Sequence, residues 1–244
     1  MTVTTTCPIC DGTGWKIVAR AGLSGAERCA CYAATRARSL MEAAGIPPNY
    51  ERATLDNFEI PQDNPIARNA LGAALMQVKS FVREFPADSH PGLLLVGDTG
   101  TGKTHLAVAA LKALLDRGHE GIFYDYQNLL NRIRSGWDPN AGAADREAYG
   151  NALDTEVLLL DDLGSQSTKD WIEDTVTSII TYRCNHQKPL IATTNLPDKE
   201  SQGDTRRKLG EAIGRRAHSR LHEMCKIVEI SVEDHRFKAP GKRA

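Results

Sequence analysis

No stretch of this 244-residue sequence approaches the roughly 20 consecutive apolar residues that a membrane-spanning helix needs. Its start, MTVTTT, lacks the charged-then-apolar plan of a secretory leader, so a cytoplasmic protein without a membrane partner is expected. An excess of one charge sign is missing too. Thirty Lys+Arg stand against 31 Asp+Glu for a formal net charge of -1, and bulk basicity gives no argument for nucleic-acid binding. Internal repeats and low-complexity tracts are absent. With 41% hydrophobic and 25% charged residues the composition is that of a folded globular chain, which excludes disorder throughout and suits one domain with a small appendage.

The charge that is present is unevenly placed. Residues 1–45 carry five basic and three acidic groups and residues 205–244 carry eleven and five, leaving 14 against 23 for residues 46–204. The basic carboxyl-terminal segment is a candidate contact surface. Six cysteines need an explanation other than disulfides in a reducing compartment, and four of them lie within the first 31 residues.

Three regions follow: a Cys- and Gly-rich head with a helix (1–45), a connector (46–90) and a core (91–244). The run from Tyr32 to Ala44 consists of good helix formers and is stopped by Gly45 and the Pro47-Pro48 pair. From Pro65 to Phe85 a second helix is expected, with Leu71, Leu75, Val78 and Val82 forming one apolar stripe. From Gly92 onward, apolar runs of about four residues alternate with helical stretches. The strands are Leu93 to Val96, Ile122 to Tyr124, Val157 to Leu160 and Leu190 to Ala192. That alternation predicts an α/β fold with a parallel sheet flanked by helices, whose ligands bind at the carboxyl ends of the strands.

The chemistry-bearing residues stand at those ends. Gly97-Asp98-Thr99-Gly100-Thr101-Gly102-Lys103-Thr104 fits G-x-x-x-x-G-K-[ST] in full, between a strand and a helix that continues His105-Leu106-Ala107. Glycines let successive backbone N–H groups curl onto phosphate oxygens, and the helix N-terminus adds its partial positive charge. Lys103 is then expected at the β and γ phosphates of ATP, and the Thr104 hydroxyl on Mg²⁺. The run Val157-Leu158-Leu159-Leu160 ends in Asp161 and Asp162. Asp161 is the expected Mg²⁺ carboxylate, and Asp162 the group that orients or deprotonates the attacking water. Asn195, after Leu190-Ile191-Ala192-Thr193-Thr194, is a neutral amide able to hydrogen-bond both a γ-phosphate and that water. A turn role before Leu196-Pro197 is the alternative for Asn195.

In the head, Cys7-Pro8-Ile9-Cys10 and Cys29-Ala30-Cys31 make a C-x₂-C and a C-x-C pair. Four thiolates are what a structural zinc ion selects, and a full ligand set leaves no open position for catalysis. The same spacing also suits a redox dithiol or an iron–sulfur cluster. Cys184 and Cys225 are expected to be small buried hydrophobes.

In this order, GDTGTGKTHLAVA, VLLLDDLG and ATTNLP resemble the AAA+ ATPases of the DnaC/DnaI helicase-loader group and the related IstB transposition helpers, over roughly residues 32–237. The resemblance implies that the segment Ala53 to Phe58, with Asn64 and Ala67, packs beside the adenine, flanked by Phe58 and Ile66. It also implies that Arg220, in Ser219-Arg220-Leu221, is an arginine finger reaching a neighbouring subunit's ATP. A guanidinium supplied by a neighbour stabilises phosphoryl-transfer charge only after assembly, which would couple hydrolysis to an ATP-dependent oligomer. Alternatively Arg215, Arg216 and Arg220 form a basic helix face. Asp234-His235-Arg236 is similar to a terminal element of the group, in which Arg236 would sense nucleotide. With residues 221–244 alone after Arg220, no C-terminal lid domain is expected.

By the same resemblance the partners are a hexameric replicative helicase, gripped by the head, and single-stranded DNA met by the ATPase core. Arg132 and Arg134, with Tyr124, Tyr126 or Trp137 as stacking groups, are candidates for the DNA contact. A helper ATPase acting on duplex DNA is the competing function, and paired cysteines favour the loader.

Overall fold

The computed structural model describes residues 7–20, 23–86, 90–166, 169–198 and 205–232. The first described residues form a tight turn. Asp11 N–H donates to Cys7 O and Thr13 N–H to Cys10 O, both at 2.9 Å. An antiparallel hairpin follows, β1 (Trp15–Arg20) on β2 (Leu23–Arg28), and then helix α1 (Cys31–Ala43). Helix α1 packs on the core helix α3 (Lys103–Asp116). Arg36 reaches Glu120 at 3.5 Å, and Phe123 N–H donates to Ala44 O at 2.7 Å.

Helix α2 (Pro65–Glu84) begins where the sequence supplies a cap. The Asn64 side chain accepts from Ile66 N–H and Ala67 N–H, and Pro65 occupies the first turn, where its missing N–H is not needed. Leu71 and Val78 are fully buried on its inner face, with Leu75 and Val82 packed beside them, as the stripe predicted.

The core is a five-stranded, all-parallel sheet in the order β4 (Gly121–Asp125), β5 (Val157–Asp161), β6 (Leu190–Thr194), β3 (Gly92–Gly97), β7 (Cys225–Ile230). The expected α/β architecture with helices on both faces is present. Strand alternation explains why. Leu93 and Leu95 of β3 face the layer containing Leu106, Leu111 and Leu115 of α3, together with α2, whereas Leu94 and Val96 face the opposite layer. That second layer holds α4 (Tyr126–Ser135), α5 (Ala143–Asp154), α6 (Asp170–Asn185), α7 (Leu209–Ile213) and α8 (Arg215–Met224). Each buried leucine contributes roughly 1.5–3 kcal/mol of transfer free energy. A sheet this apolar therefore holds its strand ends in place, and Gly97, Asp125, Asp161 and Thr194 emerge together at one edge.

Candidate functional site

The loop after β3 curls as its glycines permit. Gly102 has a φ of +89°, and a Cβ there would meet the Phe58 ring at 2.7 Å, so the ring packs where only glycine leaves room. Gly97 is equally confined, since a Cβ would lie 2.4 Å from Ile230 O. Lys103 is 4% exposed, and its Nζ donates to Asp98 O at 2.7 Å, bridging the loop from within. The carboxylate of Asp98 pairs with Arg206, a residue the motif reading did not single out because it lies far along the chain. Helix α3 starts at Lys103, so its first-turn N–H groups aim into the space enclosed by Thr99, Gly100 and Thr101.

Beside the loop lies an open cavity of about 810 Å³. Phe58, Ile60, Ala67 and Leu71 form its apolar side, and Gly100, Thr101, Gly102 and His105 its loop side. His105 is held by Thr54 O at 3.0 Å and meets the Phe58 ring edge-on at 5.4 Å between centroids. Thr54 and Asn57 exchange bonds that fold the connector over the loop. Ile66 is not brought to this wall. It is 79% exposed, because the first turn of α2 directs Ala67 and Leu71 inward and Ile66 outward. The apolar neighbours of Phe58 are Ile60, Ala67 and Leu71 instead.

At the ends of β5 and β6 the structure brings Asp161, Asp162 and Asn195 together. The buried Thr193 hydroxyl donates to Asp161 Oδ1 at 2.7 Å and accepts from Asp162 N–H at 2.9 Å. Asn195 Nδ2 donates to Asp162 Oδ1 at 2.8 Å. Asp162 has a φ of +57°, a left-handed conformation. Burial, with the nearby charges of Asp162 and Asp125, raises the Asp161 pKa above the ordinary carboxylate value, while bonds from Thr193 and Thr104 oppose the rise. A desolvated carboxylate beside a threonine hydroxyl and further carboxylates is an all-oxygen set suited to a hard divalent cation such as Mg²⁺. Thr193 went unnoticed in the sequence; its only signal was a pair of threonines just before Asn195.

Arg220 does not line this cavity. It bonds Glu223 on its own helix and faces a groove between α6 and α8 that includes Tyr182 and Ser219. Arg236 lies outside the described residues. The stacking candidates divide: Tyr124 and Tyr126 are core residues, 7% and 1% exposed, and only Trp137 stands at the surface. Strand alternation and the first turn of α4 point both tyrosines inward. Arg132 is engaged with Asp145 at 3.2 Å, closing α4 on α5, and its side chain is 37% exposed.

In the head, Cys7, Cys10, Cys29 and Cys31 converge with every sulfur within 4.8 Å of the others. Cys7 and Cys29 are 3.8 Å apart, and Cys10 and Cys31 3.3 Å. A tetrahedral zinc with bonds of about 2.3 Å requires sulfur separations of about 3.8 Å, so the donor set fits that ion. Burial works to raise the Cys10 thiol, yet bonds from Cys31, the Gly14 backbone, Cys29 and Cys7 hold it down to about 7. Cys31, hydrogen-bonded to Cys10 and Cys29 and partly desolvated, is pushed well up. Arg28 lies between the Trp15 and Tyr32 rings at 3.9 Å from each, locking the hairpin to α1. Cys225 is buried and Cys184 is partly buried against the core.

A cluster absent from the sequence reading lies on α8. His218 and His222 both approach the buried carboxylate of Asp198. Its signal was available as two histidines four residues apart on an expected helix.

No helix among the described residues is long and apolar enough to cross a membrane. Comparison with known proteins adds the following. The family model described as "IstB-like ATP binding protein" matches residues 26–242. The crystal structure of the DnaC helicase loader superposes with a TM-score of 0.64 at 34% identity, covering 75% of this chain and 99% of that one. The uncharacterized protein YqaM of Bacillus subtilis (strain 168) is 25% identical over 219 residues, 87% of this chain and 65% of that protein. The replicative helicase loader DnaC of Escherichia coli (strain K12) is 23% identical over 152 residues, 62% of this chain and 59% of the loader. In both alignments less than two thirds of the relative's length is spanned.

Proposed function

Since this chain belongs to the IstB-like ATP binding family of P-loop AAA+ ATPases, which takes in the DnaC-type loaders, we propose that it is an ATP-dependent loader of a hexameric replicative DNA helicase. It acts in the cytoplasm, grips the helicase through its head and helps deliver it onto single-stranded DNA, with ATP binding and hydrolysis as the switch. The likeness to the DnaC loader structure over nearly all of that chain carries this reading.

The geometry supports the following roles. Loop N–H groups from Gly97 to Thr104 cradle the triphosphate, and Lys103 gives up Asp98 O to meet the β and γ oxygens. Thr104 and Asp161 would hold Mg²⁺, whose charge would offset that of the triphosphate. Thr193 keeps Asp161 aimed, and Asn195 keeps Asp162 aimed at the position of an attacking water. Phe58, with Ile60 and Ala67, receives the base. Arg220 faces outward on α8, where it can serve the site of an adjacent protomer but not its own. The four cysteines would hold a structural zinc, and such an ion would tie the hairpin to α1 and supply fold stability to a head this small.

A second reading, a transposition helper that assembles with ATP on duplex DNA, is favoured by the family match itself. Residues 1–25, with Cys7 and Cys10, precede the matched segment, while Cys29 and Cys31 lie within it. A capture experiment separates the two. The loader reading expects the intact chain, with ATP, to retain the host's hexameric helicase, and Cys7→Ser/Cys10→Ser to lose it. Failure of the intact chain to bind helicase, together with ATP-dependent filaments on duplex DNA, would establish the helper reading instead.

A further inference from the structure

Beyond the cysteine head, three ligating side chains meet at a place that nucleotide chemistry does not use. Asp198, three residues past Asn195 on the loop leaving β6, accepts on one oxygen, Oδ1, from two imidazoles. His218 Nε2 lies 2.8 Å from it and His222 Nε2 3.0 Å, and the two Nε2 atoms are 3.2 Å apart. The histidines are four residues apart on α8, the spacing that stacks side chains on one helix face. We propose that Asp198, His218 and His222 form a second metal site, one that binds a divalent transition cation, zinc in the first instance, and fastens α8 to the loop leaving β6.

Three observations carry this. The first is geometry. A cation about 2.0–2.1 Å from each ligand atom, with angles between about 90° and 109°, sets those atoms about 2.8–3.4 Å apart. The three edges found here, 2.8, 3.0 and 3.2 Å, fall within that range. The second is an unmet bonding need. The Asp198 side chain is 1% exposed, and its other oxygen, Oδ2, is buried with no hydrogen-bond partner among the described residues. A buried carboxylate oxygen without a partner is costly, and a cation shared with Oδ1 meets that need. The third is accessibility. The two histidine side chains are 26% and 37% exposed, so an ion can enter and water can complete its coordination. Two imidazoles and one carboxylate with a position left for water is a donor set that suits zinc.

The site's location gives it a consequence. On α8, Arg220 lies midway between His218 and His222 in sequence and therefore on the opposite side of the helix. A cation held on the inner side ties the helix carrying Arg220 to the loop carrying Asn195. No change to the loop at Gly97 to Thr104 is required, and the inference stands whether or not the chain loads a helicase.

The test is metal stoichiometry on the full chain, equilibrated with zinc and freed of loosely held ion by gel filtration. About two zinc ions per chain are expected for the unaltered protein, about one for His218→Gln/His222→Gln and about one for Cys7→Ser/Cys10→Ser. Cobalt added to protein whose head already holds zinc should produce visible bands without thiolate charge transfer, and these should vanish in the histidine variant. Saturating zinc should raise the melting temperature of the intact chain by about 5–10 °C, but not that of the variant. If Gln at both positions impairs folding, Asp198→Asn keeps the shape and hydrogen-bonding reach and should still lose the second ion. A folded histidine or Asn variant that retains as much zinc as the unaltered chain overturns the proposal.

Discussion

Arg183 offers a prediction whose size can be worked from the structure. Its side chain, in α6, is fully buried and donates to five backbone carbonyls. Nη1 meets Ala152 O, Leu153 O and Thr155 O at 3.0, 3.2 and 3.1 Å, and Nη2 meets Glu156 O and Pro189 O at 3.0 and 2.6 Å. Ala152 and Leu153 lie in the last turn of α5, where carbonyls have no partner within the helix. Glu156 and Pro189 immediately precede β5 and β6, so one guanidinium gathers a helix end and the starts of both strands that carry Asp161 and Asn195. Burial lowers the Arg183 pKa to about 10, with Asp154 opposing the shift, and the charge is retained at neutral pH. Arg183→Met keeps much of the volume and removes every donor. Hydrogen bonds to a charged group contribute about 1.5–3 kcal/mol each but are not additive here, and leaving several buried carbonyls unpaired should cost about 3–5 kcal/mol. For a chain of this size each kcal/mol lowers the melting temperature by about 2–4 °C, so a fall of roughly 6–20 °C is expected. Urea and thermal unfolding followed by circular dichroism would measure it, with Arg183→Lys intermediate because an ammonium has fewer donors and no planar fork. A Met variant within about 1 kcal/mol of the parent would refute the view that this guanidinium holds the two strands' starts together.

Two further substitutions probe the nucleotide site. Lys103→Ala removes the cation proposed to meet the phosphates and should weaken ATP binding by roughly 10- to 150-fold, read by fluorescent-nucleotide titration; an unchanged affinity would remove the loop assignment. Arg220→Ala should bind ATP normally yet lose about 10³-fold or more in hydrolysis, and mixing it with Lys103→Ala should restore turnover at interfaces that pair an intact loop with an intact finger. No recovery on mixing, or full activity of the Arg variant alone, would sink the finger.

Much of the molecule was legible because its signals are local. The spacing from Gly97 to Thr104 is read within one turn of backbone, and the four-residue apolar runs announce strands buried on both faces wherever they occur. The cysteine pairs declare their ligand number before anything folds, and Asn64-Pro65 marks the start of α2 through its own capping chemistry. Covalent spacing determines each of these.

Tertiary structure alone decided the rest, because it depended on groups brought together from distant parts of the chain. Which side of α2 meets the cavity depends on how the whole helix is rotated against α3, so Ile66 points outward and Ala67 inward. Tyr124 and Tyr126 look like stacking groups in the sequence, but the sheet turns them into its core. Thr193 links two carboxylates only because β5 and β6 are neighbours, and Arg183 finds carbonyls up to 31 residues away only after α5 and α6 have packed. Asp198 becomes a partner for two histidines in the same way. Spacing along the chain specifies the chemistry a segment offers. Packing, through burial of apolar surface on both sides of one sheet, selects which of those offers meet.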